Sequence, residues 1–227
     1  MSFLKHLPNT ITCLNAFSGC VAVTMAFDGK FEWALAFIFL AAVFDFFDGF
    51  TARLVNHSSP MGKELDSLAD AISFGFAPAS MVYVSMKTMM SCEYVPYVAF
   101  LIAVFSVLRL AKFNIDERQS LSFIGLPTPA NAVFWGGWVT SNYLGFTSMV
   151  YFEYFLVAMV ILSSYLLVSE LPMFALKFKQ FTLKKYWLQI LFLVVALILF
   201  IVLQIESLPI IIVIYIVLSI IQSLMKK

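Results

Sequence analysis

The chain has 227 residues, of which 62% are hydrophobic and 12% charged, with a mean hydropathy of +0.96. A soluble domain of this length cannot hide that much apolar surface, so a water-soluble globular protein is excluded. The net charge of +1 offers no global field to draw in nucleic acid, and none is expected as a partner.

In chain order, apolar stretches at 9–27, 31–50, 67–86, 95–111, 129–144, 149–169, 186–204 and 208–225 predict eight transmembrane helices in an all-α integral membrane protein. Each is close to the ~20 residues that a hydrocarbon core requires. The first stretch has no small-residue cleavage site after it and reads as a retained helix, not a signal peptide. It carries Asn9, Thr10, Thr12 and Asn15, which either line a site or cap and cross-link helices. The second ends in Asp45 and Asp48, and the third begins with Asp66 and Asp70. The first six are rich in small and aromatic residues, which lets helices approach closely, whereas the last two are almost purely aliphatic and read as lipid-facing additions without chemistry. The expected organisation is therefore a six-helix membrane domain over 1–170 and a two-helix extension over 171–227. Cys13, Cys20 and Cys92 are odd in number and show no CxxC spacing, so they read as small apolar fillers.

Placing the amino terminus inside puts Lys5, Arg53, Lys63, Arg109, Lys112, Arg118, Lys177, Lys179, Lys184, Lys185, Lys226 and Lys227 on one side of the membrane. Lys30 and Lys87 fall on the other. That bias predicts a multi-pass protein of the cell membrane with both termini in the cytoplasm. The Asn56-His57-Ser58 sequon then lies on the wrong side for glycosylation, and the basic run at 177–185 reads as a surface segment near anionic headgroups.

Four of the six aspartates are the anomaly. Positions three and four apart share a helix face, so Asp45 and Asp48 form one carboxylate pair and Asp66 and Asp70 another. The loop Leu54–Lys63 makes an antiparallel hairpin of their helices and brings the pairs opposite each other at the membrane interface. Four close carboxylates cannot all stay ionised in a poorly solvated site without counter-charge, and only Arg53 and Lys63 lie nearby. Oxygen-only ligation without His or Cys favours Mg²⁺, Mn²⁺ or Ca²⁺ over zinc. A pair of such ions suits phosphoryl chemistry. The competing reading is a cation-coupled transporter, which predicts acids spread along a path and inverted repeats. Here the acids are bunched at one face, and no repeat is visible.

Written out, Asp45-x2-Asp48-Gly49-x2-Ala52-Arg53-x8-Gly62-x3-Asp66-x3-Asp70 resembles the signature of the CDP-alcohol phosphotransferase family at all eight fixed positions. At roughly one chance in twenty per position, an accidental match is on the order of one in 10¹⁰ per starting point. The segments PNTIT...N (8–15), LDSLADAISFGFAPA (65–79), RLAKFN (109–114) and FIGLPTPANA (123–132) are similar to those of members that use serine as acceptor. Asn131 departs from the small residue expected after Pro-Ala. The resemblance implies a metal-dependent transfer of a phosphatidyl group from CDP-diacylglycerol to L-serine, giving phosphatidylserine and CMP, in a protein that forms homodimers as family members commonly do. Glycerol 3-phosphate, inositol phosphate or choline are the alternative acceptors.

The same resemblance implies that Asp45, Asp48 and Asp66 hold two divalent cations, with Asp70 as second-site ligand or general base. Gly49, Ala52, Arg53 and Gly62 would accommodate the cytidine diphosphate portion, with Asn9 and Thr12 beside them. For the serine carboxylate, Arg109 is the leading candidate, with Lys112, Asn114 and Lys63 around it. Lys112 and Arg118 read equally well as topology markers. Pro78, Pro127 and Pro129 read as helix starts or kinks.

Overall fold

The computed structural model describes residues 2–55, 59–116, 123–141, 151–174 and 183–225. The sequon, Arg118, Lys177, Lys179, Lys226 and Lys227 lie outside the described residues. The described residues are mostly helical, with one short strand pair among them. Helix α1 spans Ser2–Phe27, α2 Phe31–Leu54 and α3 Pro60–Asp70, continued by a π-helical turn (Ala71–Phe76) into α4 (Ala77–Met89). A 3₁₀ segment (Val95–Phe100) leads into α5 (Leu101–Ile115), followed by α6 (Thr128–Thr140) and α7 (Phe152–Val168). Helices α8 (Leu183–Leu203) and α9 (Ser207–Met225) close the chain.

Among the described residues, five segments are long and apolar enough to cross a membrane: His6–Phe27, Phe31–Leu54, Pro60–Met89, Val95–Ile115 and Trp187–Met225, the last running over both α8 and α9. Phe152–Val168 is apolar but shorter. The chain is thus multi-pass, while the count of eight crossings stays an expectation, because α6 has 13 residues and its predicted span, 129–144, continues beyond the described ones.

Small residues govern the packing. Ala22 and Ala26 of α1 and Ala34 and Ala41 of α2 have no exposed surface, so the first two helices form a close antiparallel pair. Gly136 and Gly137 let α6 meet two partners: a Cβ at 136 would lie 2.7 Å from Leu35 Cδ1 of α2, and one at 137 would lie 2.6 Å from Leu208 Cβ of α9. Trp135, fully buried, donates from Nε1 to Ser163 Oγ at 3.0 Å and joins α6 to α7. A central apolar cluster drawn from α1, α2, α4, α5, α6 and α7 and the turns between them includes Leu208 of α9, and a second joins Leu126, Met173, Phe174, Phe192, Ile212 and Tyr215.

One platform organises the end of the molecule where the aspartates gather. Strand β1 (Phe123–Ile124) pairs antiparallel with β2 (Pro172–Met173), and Gly125 N–H donates to Leu171 O at 2.8 Å. Gly125 has φ +77°, and a Cβ there would sit 2.4 Å from Leu167 O, so only glycine fits this turn. Tyr215 of α9 donates to Phe174 O at 3.0 Å and packs edge-on against its ring. The C-terminal pair is therefore not a lipid-facing addition alone: it supplies a buried tyrosine to this platform. Next to this platform, α6, α7 and α9 line an apolar cavity of about 550 Å³ that Leu126 and Ile212 also border. Asn131 is fully buried on the α6 wall of that cavity, with no hydrogen bond to its side-chain amide among the described residues.

Candidate metal and nucleotide site

The site is built from the ends of α1, α2, α3 and α5. On α2, Asp45 and Asp48 are one turn apart and share a face, followed by Gly49, beside which a Cβ would meet nothing within 4 Å. The helix continues to Leu54 and α3 starts at Pro60, so the connection is shorter than the predicted loop. Ser59 caps α3: in an extended conformation, it accepts from Gly62 N–H at 3.0 Å, with Pro60 in the first turn, where it needs no donor. A Cβ on Gly62 would stand 3.0 Å from Asn9 Oδ1 and 3.2 Å from Ser59 Oγ, so this glycine brings α1 against the start of α3. Asp66 and Asp70 follow one turn apart on α3.

Asp45, Asp48 and Asp66 each present a carboxylate oxygen within 4.8 Å of the others. Asp48 Oδ2 and Asp66 Oδ1 are enclosed and have no hydrogen-bond partner, and none of the four aspartates joins an ion pair among the described residues. Burying unpaired carboxylates costs several kcal/mol each unless a cation joins them. Three hard oxygen donors with no nitrogen or sulfur among them suit Mg²⁺, Mn²⁺ or Ca²⁺, so these residues fit the divalent cations expected from the sequence. Asp70 stands apart from the three: it is buried, accepts from Asn15 Nδ2 at 3.1 Å, and lies within electrostatic reach of Asp45, Asp66 and Asp48.

A cavity of about 180 Å³ opens beside the carboxylates, lined by Pro8, Asn9, Thr12, Asp48, Gly49, Ala52, Ser59, Gly62, Lys63 and Asp66. Most residues expected around the cytidine diphosphate are thus brought together. Arg53 is not among them: it is exposed, and its Nε donates back to Gly49 O at 3.0 Å. Pro8 was singled out only within the resembling opening and not as a cavity residue, and Ser59 was missed, although Ser59-Pro60 before a polar helical turn is a recognisable helix start.

The residues expected around the acceptor divide. Arg109 of α5 is buried, within electrostatic reach of Asp70 and of Tyr215 on α9, and its Nε has no partner. Its guanidinium lies 5.9 Å from the Phe113 ring centre. Lys112 turns to the end of α7, where it pairs with Glu170 and reaches Val168 O at 3.5 Å. Lys63 Nζ donates to Asn114 O at 2.8 Å, and Asn114 Nδ2 donates to Ser67 Oγ at 2.8 Å, stitching α3 to the end of α5. Asn15 and Ser67 are further contacts of the site that the sequence reading did not single out in these roles.

Clustered carboxylates beside a small cavity, at one end of a bundle of apolar helices, define a helical membrane protein with a site that could hold a divalent cation. The chain matches the model of the CDP-alcohol phosphatidyltransferase family over residues 5–221 and belongs to that family. It is 37% identical over 189 residues to a CDP-diacylglycerol–serine O-phosphatidyltransferase of Mycobacterium leprae, covering 75% of this chain and 58% of the relative. To the Bacillus subtilis protein of the same name it is 37% identical over 131 residues, covering 56% of this chain and 71% of that one. To an archaetidylserine synthase of Methanothermobacter thermautotrophicus it is 35% identical over 160 residues, covering 69% and 66%. The chain therefore spans about three fifths of the length of the mycobacterial relatives that it matches.

Proposed function

We propose that the protein transfers a phosphatidyl group from CDP-diacylglycerol to the hydroxyl of L-serine, releasing CMP. The observation that carries this reading is the trio Asp45, Asp48 and Asp66 inside the family signature, with enclosed unpaired oxygens on Asp48 and Asp66 and with Asp70 alongside. These three residues would hold divalent cations, Mg²⁺ or Mn²⁺, whose contribution is to neutralise the diphosphate and stabilise the departing CMP. Asn9, Thr12, Gly49, Ala52 and Gly62 shape the cavity for the nucleotide end of the lipid. At about 180 Å³ it is smaller than a pocket that encloses a whole ligand, so it takes only part of that headgroup.

Asp70 accepts the proton of the serine hydroxyl as that oxygen attacks the β-phosphorus and the bond from phosphorus to the CMP oxygen breaks. Arg109, buried with a free Nε beside Asp70, binds the serine carboxylate. Family membership leaves the transporter reading without support. The names of the relatives favour serine over the other acceptors, and the archaeal relative adds a second lipid backbone to be tested. The site faces the cytoplasm in this proposal, the diacylglycerol chains remain in the lipid, and the protein is a homodimer.

Purified protein with Mg²⁺ or Mn²⁺ and CDP-diacylglycerol is assayed for CMP release across serine, glycerol 3-phosphate, inositol phosphate and choline, and with the archaeal CDP-lipid. Serine-dependent CMP release is expected. Release that depends on another acceptor refutes the serine assignment, and no release with any acceptor refutes the whole reading.

A further inference from the structure

Asn9, Thr12 and Asn15 follow one another at intervals of three along α1, yet only the first two line the nucleotide cavity. Asn15 has no exposed surface, and its Nδ2 donates to Asp70 Oδ1 across 55 residues of sequence. Among the described residues this is the only hydrogen bond to the Asp70 side chain, so Oδ2 is uncommitted. Asn15 Oδ1 is enclosed and unpartnered, so Asp70 is the single group that orients this amide.

The contact is framed by backbone. One turn further along α1, a Cβ on Gly19 would lie 2.8 Å from Ser73 Cα, and Ser73 belongs to the π-helical turn that begins directly after Asp70. That turn widens the helix just beyond the carboxylate, and α1 seats against it. Asn15 and Asp70 are thus held face to face by two packed main chains, not by flexible side chains reaching across a gap.

A carboxylate turns about its Cβ–Cγ bond with a broad, two-fold preference, so either oxygen can face the acceptor. A donor held against one oxygen removes that freedom. We propose that Asn15 is a positioning residue for the transfer, binding Oδ1 of Asp70 so that Oδ2 is the oxygen offered to the acceptor hydroxyl. This rests on the role given to Asp70 above. Asn15 touches no substrate; it acts by keeping the base in its attacking orientation.

The test is steady-state kinetics on the full-length protein with Mg²⁺, varying CDP-diacylglycerol and serine, for the wild type and Asn15→Ala. A misplaced base costs about 10- to 100-fold in kcat, and KM for both substrates should stay within about threefold. A rise in KM for the nucleotide lipid with kcat intact would make Asn15 a cavity contact like Asn9 and overturn the proposal. So would a kcat within twofold of wild type. If Asn15→Ala does not accumulate as folded protein, Asn15→Ser is scored by the same criteria, because its hydroxyl can bond back to its own helix but falls short of Asp70. Wild-type protein that released no CMP would refute the underlying reading, and this inference with it, before any variant is compared.

Discussion

The four aspartates do not share one environment: Asp70 is hydrogen-bonded to Asn15, whereas Asp45, Asp48 and Asp66 converge on one another. Asp48 and Asp66 each bury an oxygen with no protein partner, so their substitution by Asn should remove cation binding while relieving a buried charge. We expect Asp48→Asn or Asp66→Asn to lower CMP release by at least about 100-fold without loss of thermal stability, measured by activity and a melting curve on the same preparation. Chelation should give the same result reversibly: EDTA abolishes turnover, and Mg²⁺ or Mn²⁺ restores it. Gly125 is the opposite case, a residue with no chemistry whose backbone permits no replacement. Gly125→Ala forces a left-handed alanine onto Leu167 O and should destabilise the fold by about 2 kcal/mol or more, read as a lowered Tm. The aspartates were legible in the sequence because charge is scarce there and their spacing is periodic. Asn15 was legible as the last residue of the 8–15 segment that resembles the family but not as a partner of Asp70, since nothing local indicates which carboxylate lies 55 positions away.

Among elements, the site depends on how α1 and α3 meet. Gly62 brings the start of α3 against Asn9, and Gly19 seats α1 on the π-helical turn. The spacing predicted the α2/α3 hairpin but not that turn, because a single inserted residue leaves no periodic trace in so short a stretch. The last two helices show a similar limit. Their aliphatic composition identifies the lipid-facing surface, yet it conceals that Tyr215 bonds to Phe174 and lies near Arg109. Helix α9 also docks through Gly137, where a larger side chain would collide with Leu208 and Pro209. Gly137→Leu should therefore wedge α9 away from α6 and lower the Tm. Activity per folded molecule should hold, because residue 137 lies toward the far end of α6 from the platform; melting curves and the activity of the surviving fraction together check both halves.

At the scale of the whole molecule, the proposed orientation makes a direct prediction. Cys92 is exposed in the connection after α4, at the end of the bundle opposite the aspartates, while Cys13 lies in α1 near the site end. A membrane-impermeant maleimide added to intact cells should modify Cys92 and leave Cys13 untouched, and the reverse pattern would invert the topology. By itself the sequence determined the membrane class, the hairpin of acidic helices and the family, since each follows from local properties: hydropathy, helical period and fixed spacing. Only the tertiary structure decided which carboxylates converge, that Arg53 turns away while Ser59 joins the cavity, and that Asn15 holds Asp70. Those outcomes depend on backbone approach between helices distant in sequence, set by where glycine and alanine allow contact, and no one-dimensional pattern encodes which partner a small residue will meet.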